Sequence, residues 1–322
     1  MTLRAAELAF NLWAIGLPVV IVTGSLLRLL HRAPARARYL LVVAAFILAA
    51  TLPFAAEKEQ VLVNATAPIA REASRLPLAW PAIAIVLLLR DAIGHLRLRR
   101  LRRTWEPASD ALKALLEWPA SIPLAVDRNA PPMTTGLVAP RVVLPANIAE
   151  AFPLDVARRI ARHELAHRTW RDPLVFAAMR AVASLLWLAP LWPLLRWARR
   201  EREAAADEAA LRSASRERED YVAALLAIAK NPLRRTLALR AAGSDLEFRA
   251  RRIFAMPQSR LSMAVAAMTL FAGLALAKRI EPMALAVRGE PSPIVATPTS
   301  VHIDRHVTRD GRRVVLRNVI RN

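Results

Sequence analysis

Apolar runs at residues 6–30, 39–56 and 76–94, with a fourth at 261–277, constrain this chain more than any other feature. A helix rises about 1.5 Å per residue, so about 20 apolar residues cover the roughly 30 Å of bilayer hydrocarbon. The first run meets that length, and the others fall at its short end. Arginines mark the flanks: Arg32, Arg36 and Arg38 between the first two runs, and Arg97, Arg99, Arg100, Arg102 and Arg103 after the third. Residues 57–75 carry mixed charge instead. Cytoplasmic loops are the ones enriched in Lys and Arg. The pattern therefore predicts a multi-span, mainly α membrane protein with its N-terminus outside and residues 57–75 outside. Residues 95–260 are expected in the cytoplasm and the tail outside again. The expected parts are three transmembrane helices in 1–98, a cytoplasmic domain in 99–258, a fourth transmembrane helix in 259–278 and a short tail in 279–322.

Composition agrees. Hydrophobic residues make up 55% of a chain whose net charge is +21 and whose mean hydropathy is +0.28. Soluble domains seldom combine these, because charge displaces apolar residues, whereas apolar spans with basic loops combine them readily. A nucleic-acid binder is the rival reading of a pI near 11.7. However, the basic residues sit beside apolar runs and form no stripe interleaved with aromatics. The expected partner is membrane lipid, not nucleic acid. Cysteine is absent, so a metal site would have to use His and carboxylates. In the tail, VHIDRHVTRDGRRVVLRN alternates around Asp310-Gly311, a two-residue turn signal that predicts a β-hairpin. His302 and His306 belong to that alternating segment and read as exposed tail residues.

Chemistry concentrates in the cytoplasmic block. DVARRIARHELAHRTW reads as a helix, and His163 and His167 lie one turn apart on one of its faces, where both imidazoles can reach one zinc ion. Glu164 adjoins the first histidine and is placed to take a proton from an attacking water and to protonate the leaving amine, as the general base of a metallopeptidase. A catalytic zinc needs three protein ligands and an open position. In REREAAADEAAL, Glu203 and Asp207 are again four apart. Glu203 is the candidate third ligand, and Asp207 suits a role behind a histidine, fixing its tautomer. Glu201 is the alternative ligand, but no acidic residue follows it at four positions. Tyr221 is a candidate oxyanion contact.

With these motifs in hand, the chain resembles the BlaR/MecR-type integral membrane zinc metallopeptidases. The resemblance rests on PMTTGLVAPRVVLP, HELAHRTWRDPL, LRWARREREAAADEAAL and DYVAALLAIA, and extends to about Ala277. It implies a gluzincin-like (α+β) zinc protease domain, cytoplasmic and set between the third and fourth spans, in a bacterial inner membrane. It implies His163, His167 and Glu203 as zinc ligands, Glu164 as base and Asp207 behind a ligand. Residues 136–144 then match a strand lining the substrate groove, with Gly136 a candidate contact, and Arg171-Asp172 matches an Arg-Asp pair of unassigned role. The implied activity is signalling by proteolysis of the chain itself or of a BlaI/MecI-like winged-helix repressor; a homodimer is compatible with it. The best-known members add a large penicillin-binding sensor domain after the fourth span, and residues 278–322 hold no Ser-x-x-Lys motif, so β-lactam sensing by this chain alone is not expected.

Two rival readings remain. One is an HtpX/CAAX-protease-like quality-control enzyme, which shares HExxH and ExxxD. The other is a non-catalytic receptor or scaffold with structural zinc, against which Glu164 counts, since a structural site needs no base. A geometric problem also remains. Residues 173–196 are apolar enough to cross a membrane, yet a single crossing would separate Glu203 from the two histidines. As one helix of about 36 Å the segment cannot cross twice. Pro190 and Pro193 imply a break, hence either a membrane-dipping or membrane-hugging helical hairpin or a helix pair buried in the protease core.

Overall fold

The computed structural model describes residues 2–55, 59–63, 76–211, 216–229, 242–255, 283–287, 300–309 and 312–321. Among them, three helices are long and apolar enough to cross a membrane: α1 (Thr2–Leu29), α2 (Ala35–Ala55) and α3 (Leu76–Leu101). They cover the first three apolar runs, and α3 carries on through Arg97, Arg99 and Arg100. Ile85, Val86, Leu89 and Ile93 on α3, like Ile21 on α1 and Ile47 on α2, are exposed. An exposed apolar belt on long helices fits contact with lipid. The fourth run, 261–277, lies outside the described residues.

After α3 the chain builds a small sheet from β2 (Glu106–Pro107), β3 (Leu124–Asp127), β4 (Met133–Thr135) and β5 (Arg141–Pro145), in the order β2-β3-β5-β4. Short helix α4 (Asp110–Leu115) lies between β2 and β3, and α5 (Ile148–Ala151) leads from β5 to the next helix. Ser109 caps α4 by accepting from the Leu112 amide. Val142, Val143 and Leu144 of β5 are fully buried, and β4 is left as an edge. The strand expected over 136–144 is interrupted. Gly136 has φ +109, and a Cβ there would lie 2.9 Å from the Ala139 carbonyl oxygen, so only glycine makes this turn without strain. The edge beside the cavity described below is therefore Met133–Thr135.

The motif helix, α6 (Leu154–Thr169), packs Val156, Ala157, Ile160 and Ala161 into a core shared with Leu116, Trp118, Leu144, Tyr221, Leu225 and Ile253. Tyr221 and Leu225 come from α9 (Arg216–Ala229), and Ile253 from α10 (Ala242–Phe254). Two helices join this core to the apolar spans: α7 (Asp172–Leu185) and α8 (Trp192–Ala210). Arg171, left-handed at φ 53, turns the chain from α6 into α7.

The α7–α8 pair bears on the geometric problem. The apolar run is two helices joined at residues 186–191 rather than one. Met179, Ala183, Leu191, Leu194 and Ala198 share one core with Leu12 and Val19 of α1 and Tyr39, Val42, Phe46 and Ala49 of α2. Gly16 of α1 lets the turn approach: a Cβ there would meet the Pro190 ring at 2.9 Å. The Trp80 indole N–H of α3 donates to the Leu185 carbonyl at 2.7 Å, and Arg180 of α7 finds its partner in Asp91 of α3. The hairpin is thus packed among the spans rather than within the core around α6.

A second sheet has the order β6-β1-β7-β8, from β1 (Glu59–Val63), β6 (Met283–Val287), β7 (Ser300–Arg309) and β8 (Arg312–Arg321). β7 and β8 pair antiparallel with Arg309 opposite Arg312, in keeping with the expected hairpin; Asp310 and Gly311 lie outside the described residues. β1, from the loop after α2, runs parallel to β6 and antiparallel to β7.

Candidate metal centre

On α6, positions four apart share a face, and the structure puts His163 Nε2 and His167 Nε2 3.1 Å from each other. Glu203 on α8 completes the group, with its oxygens 3.7 Å from each of these nitrogens. The three ligand atoms all lie within 4.8 Å of one another. Two nitrogens on a tetrahedral zinc at 2.0–2.1 Å sit about 3.3 Å apart. The donor set therefore fits one zinc-sized ion, with two neutral imidazoles and one carboxylate as its chemistry requires. Both histidines are buried and Glu203 is partly so.

Each histidine turns its other nitrogen to a buried carboxylate. His163 Nδ1 is 3.0 Å from Asp207 Oδ1, and His167 Nδ1 is 2.7 Å from Asp172 Oδ2. An Nδ1–H held this way fixes the tautomer that leaves Nε2 free for a metal. Asp172 is the partner that sequence reasoning left without a role. Its only signal was its place, five residues beyond His167 at the start of the next helix.

Charge is balanced behind the ligands. Arg249 of α10 grips Asp207 with two hydrogen bonds, at 2.8 and 2.7 Å, and Arg202 donates to Glu203 at 2.7 Å. Burial alone would raise the Asp207 pKa, but Arg249 and His163 overcome it and hold the group at about 2. Glu203 is likewise held well below its ordinary value against burial, chiefly by Arg202 and then by His163. Burial opposes charge on His163, yet its hydrogen bonds to Asp207 and Glu203 lift it to about 9.

Glu164 is buried but lines a cavity of about 490 Å³ together with His167, Glu203, Thr134, Gly136 and Phe176. The Thr134 hydroxyl reaches its carbonyl at 2.8 Å and its carboxylate at 2.9 Å. The cavity runs between the edge strand β4, the start of α7 and the end of α3, where Arg90, Asp91 and Arg97 form its far wall. Tyr221 is placed otherwise than expected. It is fully buried behind His163, its hydroxyl donates to Asp207 Oδ1 at 3.0 Å, and it does not line the cavity, so an oxyanion contact is not what its position offers. Glu201, the alternative ligand, instead accepts from Arg38 at 2.6 Å. Two residues along a helix is a turn of about 200°, which points it away from Glu203.

Compared with known protein families, residues 3–253 match the model described as BlaR1 peptidase M56. No curated protein matches the chain.

Proposed function

The chain belongs to the BlaR1 peptidase M56 family, a family of metallopeptidases, and from that premise we propose that it is a membrane-embedded zinc endopeptidase acting in signal transduction. The observation that carries this reading is the convergence of His163, His167 and Glu203 beside the cavity that Glu164 lines. Bound zinc would supply Lewis acidity toward a peptide carbonyl. Glu164 takes the proton of the attacking water and returns it to the leaving amine; Thr134 holds its carboxylate toward the cavity. Asp207 and Asp172 keep both histidines in the ligating tautomer, and Arg249 and Arg202 keep the carboxylates ionised. β4 presents unpaired backbone groups along one wall, so an extended substrate can add to it as a strand, with Gly136 leaving room at its end.

The substrate is then a protein segment on the cytoplasmic side: the chain itself or a winged-helix repressor of the BlaI/MecI type. The α7–α8 hairpin enters the membrane from that side and leaves on it, which keeps Glu203 with the histidines. Pairing of β1 with β6 and β7 supports placing residues 57–75 and the tail together on the outer side, with a fourth span between them and α10. The domain's helices over an edge-exposed sheet support the gluzincin-like assignment.

Membranes holding the chain, a co-expressed candidate repressor and either wild-type Glu164 or Glu164→Gln test the reading. Cleavage of chain or repressor that disappears in the variant while its metal content stays supports it. Identical fragments in both would transfer the cleavage to another enzyme and leave a scaffold.

A further inference from the structure

The turn between α1 and α2, residues 30–34, and the first residues of α2 are bonded to α8, which carries Glu203, and to α10. Arg38 is 6% exposed, and its guanidinium meets Glu201, 2% exposed, at 2.6 Å on α8. The Ala35 amide donates to Glu208 at 2.8 Å, and Arg252 of α10 bridges Glu208 to the Ala33 carbonyl, both at 3.1 Å. Glu201 and Glu208 bracket Glu203 and Asp207, so these bonds set the height and rotation of the ligand helix. Arg36 acts on the other histidine. Its guanidinium lies 4.2 Å from the Trp170 ring centre and 5.3 Å from that of Tyr39, and its Nη1 faces Asp172 Oδ1 at 4.0 Å. Neither of these two buried atoms has a hydrogen-bond partner among the described residues. The opposite oxygen of Asp172 holds His167.

We propose that Arg36 and Arg38 are positioning residues of the metal centre, through which the packing of the first two spans sets its geometry. The inference rests on the zinc reading above and adds a route by which a change at the membrane reaches the site. Arg36, stacked on Trp170, faces the Asp172 oxygen opposite the one that holds His167 and so fixes how Asp172 is placed against that ring; Arg38 pins α8 under Glu203. The spans are packed on one another and on the hairpin, so a shift between α1 and α2 moves both arginines.

The test uses the full-length chain in nanodiscs with Co2+ as the probe. Its visible absorption reports ligand geometry, and chelator competition gives its affinity. Arg36→Gln is expected to lower Co2+ affinity about tenfold and to shift the absorption bands at an unchanged melting temperature, with Arg36→Lys restoring part of both. Arg38→Gln with Glu201→Gln removes the buried charges as a pair and is expected to shift the bands likewise. Affinity and bands equal to wild type in all three variants would overturn the positioning role while leaving the zinc reading intact. A wild-type chain that binds no Co2+ would overturn the zinc reading, and the proposal with it.

Discussion

Replacing Asp207 by alanine probes both the architecture and the chemistry of the centre. Asp207 is 1% exposed and accepts from Arg249 twice, from Tyr221 and from His163. Its removal leaves the buried Arg249 guanidinium, beside His163, with Glu203 at 3.4 Å in place of a bidentate partner; deleting one partner of a buried pair costs about 3–5 kcal/mol, and the lower end applies here. That is a large share of the roughly 5–15 kcal/mol that holds a typical protein together. Zinc affinity should fall about 10- to 100-fold as His163 loses the group that orients it. The two losses separate in a double variant. Asp207→Ala with Arg249→Met removes the charge left without that partner, so thermal stability should largely return while zinc affinity, measured by chelator competition, stays low. Recovery of both would refute the orienting role and make Asp207 a structural anion only. An unchanged melting temperature in the single variant would refute the buried pair.

Further outcomes follow from the same geometry. Thr134→Val should lower peptidase activity about tenfold by freeing the Glu164 carboxylate, with bound metal unchanged; equal loss of metal would show Thr134 to be structural. Zinc binds neutral imidazole, and His163 holds its proton up to about pH 9, so affinity should fall about tenfold for each unit below that, with proton release on binding. Calorimetry in buffers of different ionisation heat reads the released proton, and a flat affinity between pH 6 and 8 would contradict it. Cysteines at positions 168 and 200 should label from the same face of sealed vesicles, and labelling from opposite faces would refute the hairpin.

Much of this was legible in the sequence because it is local. Histidines four apart share a helix face wherever the helix sits, and the Glu203–Asp207 spacing marked that face of α8 against Glu201. Apolar length marked three helices long enough to cross a membrane, and Pro190 and Pro193 marked the break between α7 and α8. What was not legible depends on distant packing. Nothing around Arg249 announces that it reaches Asp207, and Arg38 lies 163 residues from Glu201. Asp172 was visible only as a neighbour of the motif, since its reach to His167 depends on the left-handed turn at Arg171. Tyr221 was misplaced because a lone tyrosine carries no sign of which side of a histidine it will occupy. Gly136 ended a strand early because its backbone, not its side chain, decides the path.

The most direct test of the central claim is zinc content with X-ray absorption on the purified full-length chain and its ligand variants. The account predicts one zinc per chain on two imidazole nitrogens and one carboxylate oxygen, lost in His163→Ala, His167→Ala and Glu203→Ala and retained in Glu201→Gln. Zinc retained in Glu203→Ala with its ligand shell unchanged, or lost in Glu201→Gln while the protein stays folded, would contradict it.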